Sequence, residues 1–254
     1  MSGVQEIIDS FNSVRLKDMD KIALMTRKDS KFLMPKSKLP VILEKLKEFY
    51  NILEIDGHRL MHYENYYYDT DQFDFYLNHH NGHLNRYKIR KRKYTVSDIS
   101  FLEIKFKSNK KQTSKNRIKK KDFVPGFTEE DIEFIKSKSP FDPNNLSLKL
   151  LVDFSRITLA HKNNEDRATL DLNLTYRFGD FQYSYSNICI GELKQDKSAI
   201  KSDFINVLND EKIKKGGFSK FCFGMLNAYP HLKKNLFKKK LRGINKLQHE
   251  YSTT

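Results

Sequence analysis

Several catalytic signatures are missing from this sequence. It has no Walker-type glycine loop, no GxSxG and no HExxH, so P-loop phosphate transfer, nucleophile-elbow hydrolysis and helix-borne zinc proteolysis lack their residues. Cysteine is scarce: Cys189 and Cys222 stand far apart, outside any CxxC or Cys/His spacing. That excludes a disulfide framework and predicts a reduced, cytoplasmic chain with two small buried hydrophobes. Long apolar runs are absent, and the N-terminal stretch MSGVQEIIDSFNSVRLKD carries Glu6 and Asp9, so neither a signal peptide nor a membrane span is expected. Internal repeats and low-complexity runs are also missing. Acidic residues are too few to balance the basic ones: 47 Lys+Arg against 32 Asp+Glu leave a net charge of +15. Such a surplus predicts affinity for polyanions, whether nucleic acid, nucleotides, polyphosphate or an anionic membrane.

What is present is a run of cationic strands. Side chains of a β-strand alternate between faces, so in the stretch Leu84 to Thr95 the residues Arg86, Lys88, Arg90 and Arg92 share one face, while Tyr87 and Ile89 open the other. Phe101 to Lys107 repeats the pattern with Glu103, Lys105 and Lys107 opposite Leu102, Ile104 and Phe106. Thr113 to Asp122 does so again with Lys115, Arg117 and Lys119 on one parity. Three neighbouring cationic faces repel one another as cross-strand pairs unless an anion lies between them.

The remaining chain reads as elements around this sheet. Val4, Ile7, Ile8, Phe11 and Val14 predict a short amphipathic helix within residues 1–20. Residues 22–34 read as extended, with Arg27 and Lys31 interrupting an apolar run. Ser37 is an N-cap candidate for a helix bearing Leu39, Ile42, Leu43, Leu46, Phe49 and Leu53, with Pro40 in its first turn. Arg59 to Thr70 reads as a strand, and DQFDFYLNHHNG ends in an Asn-Gly turn. His79, His80 and His83 have no carboxylate at helical spacing and read as a polar loop. Thr128 and Asp131 form a capping box for a helix through Lys138, followed by a loop with Pro140 and Pro143.

Two further strands, Leu146–Leu159 and Ala168–Tyr176, flank the turn KNNEDR. Arg156 shares a face with Phe154 and Thr158. In the second strand Arg167, Thr169, Asp171, Asn173 and Thr175 alternate with Ala168, Leu170, Leu172, Leu174 and Tyr176. In NICIGELKQD the residues Ile188, Ile190, Glu192 and Lys194 share parity, which predicts a bulge at Gly191. A helix from Ser198 to Asn209, a Gly216-Gly217 hinge, a helix FSKFCFGMLNAY stopped by Pro230 and a basic helix from Leu232 to Leu247 complete the chain. Lys238, Lys239, Lys240 and Arg242 on the last helix read as a solvated face.

One face of these strands gathers Arg86, Lys88, Arg90, Arg92, Lys105, Lys107, Lys115, Arg117, Lys119, Arg156, Arg167 and Lys194 against Glu103, Asp171 and Glu192. Closed into a barrel, that face lines a lumen, and a dry lumen is excluded because unpaired buried charges are too costly. A wet tunnel for a highly charged anion follows. Arg offers bidentate forks to phosphate oxygens and Lys a mobile point charge, a mixture suited to a chain of phosphates. The few carboxylates neutralise cations or hold Mg²⁺ or Mn²⁺ against phosphate oxygens, as in phosphoryl transfer.

The ordered motifs RKDSKF, YYYDT, KIRKRKY, FLEIKFK, DFSRITL, DRATLDLNLTY, IGELK and GFSKF resemble the VTC domain, a polyphosphate polymerase of the triphosphate tunnel metalloenzyme superfamily, over roughly residues 20–230. The resemblance implies an α+β fold, an eight-stranded antiparallel β-barrel tunnel flanked by helices. The domain would occupy 21–230 and a basic C-terminal helix and tail 231–254. It implies transfer of the terminal phosphate of ATP to a growing polyphosphate chain with Mn²⁺ or Mg²⁺. Lys31, Arg90, Arg92, Lys105, Lys115, Arg117, Arg156 and Arg167 would grip triphosphate and product chain, and Lys88 and Lys194 would bind substrate beside them. Glu192 would bind metal, and Ser219 with Lys220 would contact phosphate at the tunnel end. The family often carries a lysine just before the FSKF element, where this chain has Gly217 with Lys214 and Lys215 nearby. It also implies a cytoplasmic site at the inner face of a membrane, beside a membrane-protein partner that receives the polymer.

Two other readings compete. A triphosphatase of the same superfamily commonly carries a metal-binding ExE pair in its first strand, whereas this chain has RKDSK there. A non-catalytic module would bind polyphosphate or nucleic acid. The aromatics alternate opposite the cations and read as core, which weighs against base stacking and against nucleic acid as the partner.

Overall fold

In the computed structural model, which describes residues 2–19, 27–110 and 112–250, the cationic strands take their places in one large sheet. The strands are β1 (Ser13–Arg15), β2 (Arg27–Pro35), β3 (Tyr50–Glu54), β4 (Met61–Thr70), β5 (Arg86–Tyr94), β6 (Ile99–Lys107), β7 (Thr113–Lys120), β8 (Leu146–His161), β9 (Arg167–Phe178), β10 (Phe181–Tyr185) and β11 (Ile188–Asp196). Eight of them form a continuous antiparallel path in the order β2-β11-β9-β8-β4-β5-β6-β7. β3 and β10 add to the edges of β8 and β9, and β1 runs parallel to β3.

The path curls. Four strands separate β6 from β11, yet the Lys105 ammonium on β6 is influenced by the charges of Glu192 and Lys31 on β11 and β2. The ends of the path, β2 and β7, are not hydrogen-bonded to each other. Lys215 bridges Phe32 and the Gly216 N–H donates to the Lys31 carbonyl at 2.8 Å, so the segment before the penultimate helix occupies the free edge of β2. The fold is thus the expected α+β tunnel of eight antiparallel strands, with an unpaired seam.

Helices α1 (Ser2–Asp9), α2 (Leu16–Met19), α3 (Leu39–Lys47), α4 (Asp74–His80), α5 (Glu129–Lys138), α6 (Asp203–Asp210), α7 (Lys220–Ala228) and α8 (Lys238–Glu250) flank the sheet. One core packs Ile8 of α1, Ile42 and Leu46 of α3 and Phe204 of α6 on the outward residues Leu170, Leu172, Cys189 and Leu193. The other joins α4, α5 and α7 with β4, β5, β6 and β8. Both cysteines are free and buried. None of the helices among the described residues is long and apolar enough to cross a membrane.

Several local expectations change. The first helix ends at Asp9, and Val14 lies in β1, paired with Leu53. Ser37 caps nothing: it lies in a 3-10 turn, Lys38 holds the N-cap position, and α3 stops at Lys47 with Pro40 in its first turn as expected. Phe49 and Leu53 therefore leave the helix, and Tyr50–Glu54 becomes an edge strand on β8, because three- and four-residue spacing over so short a stretch fits either element. Residues 22–26 of the extended reading lie outside the described residues. DQFDFYLNHHNG holds α4, with Gly82 at φ +75° in the turn after it. The capping box at Thr128 and Asp131 is present. The penultimate helices begin later than expected, at Asp203 and Lys220, and the last at Lys238, with Leu232 buried ahead of it.

Two corrections concern the lumen. The alternation in β9 breaks at Asn173, which adopts φ +54° where the register with β8 slips, so two residues of β9, Asn173 and Leu174, stand opposite one of β8, Phe154. Leu174 and Tyr176 therefore join the face of Asp171, while Leu170 and Leu172 stay in the outer core. In contrast, β11 runs through Gly191 with unbroken register on both sides, so there is no bulge. Gly191 faces outward, where an added Cβ would lie 2.9 Å from Met34 Cε and 3.3 Å from Phe204 Cζ; glycine lets α6 approach the sheet. Ile188, Ile190, Glu192 and Lys194 share one face because the lumen itself changes from apolar to charged along β11.

Candidate functional site

The lumen is apolar where α7 enters it. Phe221 stacks on Tyr67 at 5.3 Å, and a Cβ on Gly224 would lie 2.5 Å from Tyr176 Cδ1, so this helix rests directly on the inner wall. Its first residues then meet the charged zone. Ser219 caps the helix by accepting from the Cys222 N–H and takes a 3.0 Å hydrogen bond from Lys88 Nζ; Lys220 is ion-paired with Asp171.

Three carboxylates divide the cations of this zone. Asp171 on β9 faces Arg156 on β8 and takes a forked pair, Nε to Oδ1 at 2.6 Å and Nη2 to Oδ2 at 2.9 Å, besides Lys220. Glu103 on β6 takes Arg90 at 2.6 Å and Lys115 at 2.5 Å. Glu192 on β11 has Lys31 of β2 as its register partner, with Nζ 2.7 Å from Oε1. Burial opposes ionisation of all three, but the cations outweigh it. Arg156 and Lys220 hold Asp171 well below the usual carboxylate range, Arg90, Arg92 and Lys115 do so for Glu103, and Lys31 and Lys194 bring Glu192 to about 2. Asp29, register partner of Lys194, adds a carboxylate at the mouth that the sequence count left out.

Among the described residues Lys88, Lys105, Arg92 and Arg117 form no ion pair with a carboxylate. Register sets Lys88 opposite Lys105, and Lys105 opposite Lys115. Desolvation between the walls, then Lys88 and Arg90, bring the Lys105 ammonium down to about 8, although lumen water still reaches it. Arg92, 7% exposed, donates to Asn65 Oδ1 at 2.7 Å, and Asn65 is fixed in turn by the Val152 carbonyl. Arg117 lies over Phe101 at 4.6 Å. Arg167 donates to the Met19 carbonyl at 2.5 Å, which ties the mouth of the lumen to α2. Lys194 and Lys119 share this face by register, opposite Arg167 and Phe101.

The structure thus brings Lys31, Lys88, Arg90, Arg92, Lys105, Lys115, Arg117, Arg156, Arg167, Lys194, Glu192, Ser219 and Lys220 to one lumen and its rims. Parity placed Phe154 on the face of Arg156, but sequence reading missed Tyr63 and Tyr67 in the lining. Tyr67 accepts a 2.8 Å hydrogen bond from Arg90 Nη1, and Tyr63 and Phe154 lie under Arg92 and Arg156 at 5.3–5.8 Å. Burial raises the Tyr67 phenol, but Arg90, Arg92 and Lys88 more than offset it, to about 8. The expectation that aromatics stay opposite the cations is overturned on β4 and β8. The available signal was Asn65, a polar residue of the same parity as Tyr63 and Tyr67 within the tyrosine-rich strand. Lys91, of the other parity, is 1% exposed and paired with Asp131 beneath α5, outside the lumen.

Among the described residues no three His, Cys, Asp or Glu side chains converge as a metal cage. His79 and His80 lie on α4, where His80 Nε2 accepts from the Leu236 N–H, so they are helical rather than a loop. Glu192 lies in the charged zone, ion-paired with Lys31. One carboxylate beside bound phosphates is a donor set that fits Mg²⁺ or Mn²⁺, which keep waters and take their other ligands from substrate.

Comparison with known families matches residues 26–229 to the VTC domain. No curated protein matches the chain. Among solved structures, the PH1819 protein from Pyrococcus horikoshii is similar at 15% identity and a TM-score of 0.48, over 81% of this chain and 99% of its own. HpAC1 from Hippeastrum, to which a dominant triphosphatase activity is ascribed, is similar at 12% identity and a TM-score of 0.48, over 84% of this chain and 99% of its own. At these values neither likeness bears on what this chain does.

Proposed function

This chain belongs to the VTC domain family, and on that premise we propose that it is a polyphosphate polymerase, which transfers the terminal phosphoryl group of ATP to the end of an inorganic polyphosphate chain held in the lumen. The supporting observation is the convergence of Lys31, Arg90, Lys105 and Arg156 from four strands on one water-accessible lumen whose carboxylates are too few to neutralise it. In the transfer, a terminal oxygen of the polymer bonds to the γ-phosphorus as the bond to the β–γ bridging oxygen breaks and ADP leaves. Arg90 and Arg156 are held in place by Glu103 and Asp171, so their remaining N–H groups are preorganised for phosphate oxygens. Lys31 and Lys105 supply mobile charge as the leaving group gains charge.

Glu192 would hold a divalent ion, Mg²⁺ or Mn²⁺, which when bound neutralises phosphate oxygens. Lys31, ion-paired with Glu192 at 2.7 Å, would be free to turn to phosphate where that carboxylate held the ion. Hydrolysis is less well served: β2 presents Asp29 and Lys31 on the lumen face, not paired glutamates. The deciding experiment incubates the protein with ATP and Mn²⁺ and follows ADP, orthophosphate and polymer on a polyphosphate-stained gel. A ladder with matching ADP is expected. Orthophosphate without polymer would make the chain a triphosphatase, and no turnover with retained polyphosphate binding would make it a binding module.

A further inference from the structure

Beyond the reacting zone, the α7 end of the lumen collects Arg86, Lys88 and Lys107, which the proposed transfer does not use. On β5 and β6, Arg86 faces Lys107 and Lys88 faces Lys105, two like-charged cross-strand pairs, and among the described residues none of the four is ion-paired with a carboxylate. Such pairs destabilise a sheet unless something anionic bridges them. Lys88 reaches the α7 cap at Ser219, as above.

A further charge comes from outside the family-matched segment 26–229. Helix α8 is anchored by Ile244, 2% exposed, and by Gln248, which donates to Ser186 Oγ at 3.1 Å and accepts from the Asn187 N–H at 3.2 Å. It delivers Lys240 to the α7 entrance: the ammonium lies 3.0 Å from where a Cβ on Gly217 would stand, two residues before the Ser219 cap. The absence of a side chain at Gly217 is what leaves room for it. His79 on α4 registers the same convergence. Its Nδ1 is buried without a partner, and burial, then Lys88, Arg86, Lys107 and Lys240, bring the imidazole down to about 2.

We propose that Lys240 of α8 completes, with Arg86, Lys88 and Lys107, a phosphate-binding subsite at the α7 end of the lumen that holds linear polyphosphate beyond its reacting end. The C-terminal basic helix is then part of the polymer's path rather than only a solvated face. The inference rests on the polyphosphate reading above, and its test uses binding alone, so that catalysis plays no part.

Long-chain inorganic polyphosphate is titrated, without metal or ATP, into the full chain and three variants. Lys240→Ala, at an exposed position, should weaken binding roughly tenfold, the loss expected for one charge-assisted contact. Lys240→Ala with Gly217→Lys should recover most of it, because Gly217 has no positive φ and its Cβ space is open once Lys240 is truncated. Lys136→Ala, removing the same charge from the last turn of α5, should stay within about twofold of wild type. Unchanged binding by Lys240→Ala overturns the subsite. So does a loss that Gly217→Lys does not recover, or one matched by Lys136→Ala. A wild-type chain that fails to bind polyphosphate overturns the functional reading as well.

Discussion

Glu192 and Lys31 face each other across β11 and β2 in register, their charged ends 2.7 Å apart. The pair joins the strand carrying the candidate metal ligand to the strand at the open edge of the path, so two roles meet in it: a cross-strand ion pair and a switchable ligand. Glu192→Gln keeps the size and loses the anion. The variant should fold, still bind polyphosphate through the unchanged cations, and lose most metal-dependent synthesis from ATP. Wild-type turnover would remove Glu192 from the mechanism; a collapsed thermal midpoint with normal specific activity would leave only the ion pair.

Asp171 is 1% exposed between Arg156 and Lys220. Asp171→Asn leaves two half-buried cations without their buried counter-charge and should cost about 3 kcal/mol of stability, the scale of breaking a buried pair. Polyphosphate should restore more of the thermal midpoint in this variant than in wild type, because a ligand bound to the folded state stabilises it by mass action and here also supplies the missing charge. Equal ligand shifts in both proteins would place the anion elsewhere.

The folded-state values set two pH windows. Glu192 falls from its ordinary 4.5 to about 2, so between these values the unfolded chain binds more protons, and this contribution to stability is lost as pH falls through that range. Lys105 falls from 10.5 to about 8, so between about 8 and 10.5 the unfolded chain again binds more protons and stability rises with pH. An anion beside Lys105 reverses the shift. Polyphosphate binding near pH 8.5 (about half a unit above the Lys105 value) should therefore take up protons, and affinity should decline as pH rises through 8. Calorimetry in buffers of different ionisation enthalpy reads the uptake; none would mean that Lys105 does not meet the ligand.

Gly224 sets how closely α7 approaches the inner wall. Its added Cβ would overlap Leu150 Cδ2 and the Tyr176 ring. Gly224→Ala should destabilise by about 1–3 kcal/mol through overpacking and, by displacing Ser219 and Lys220, weaken polyphosphate binding as well. Denaturant melts alongside the same titration test both effects.

Period-two patterning was legible wherever a strand kept its parity. Arg86 to Arg92 and Glu103 to Lys107 needed no structure to be placed on one face, and the capping box at Thr128 was readable because both partners lie within one helical turn. Parity failed at Asn173, where one left-handed residue moves Leu174 and Tyr176 to the other face, and at Val14 and Leu53, whose spacing suits helix and strand alike. Gly191 misled for another reason: a run of one parity that changes from isoleucine to glutamate looks like a bulge unless the lumen is known to be apolar at one end.

By itself, the sequence determined a run of cationic strands and their one-sided charge, since alternation and net charge are local properties of the chain. Tertiary structure alone decided which cation each carboxylate neutralises, that Tyr67 and Tyr63 lie beneath the arginines, and that Lys240, distant in sequence, stands over Gly217. Those outcomes depend on register, on the curl of the sheet and on where α7 and α8 settle against it, and no periodicity along the chain encodes the distance between elements that meet only when the path closes.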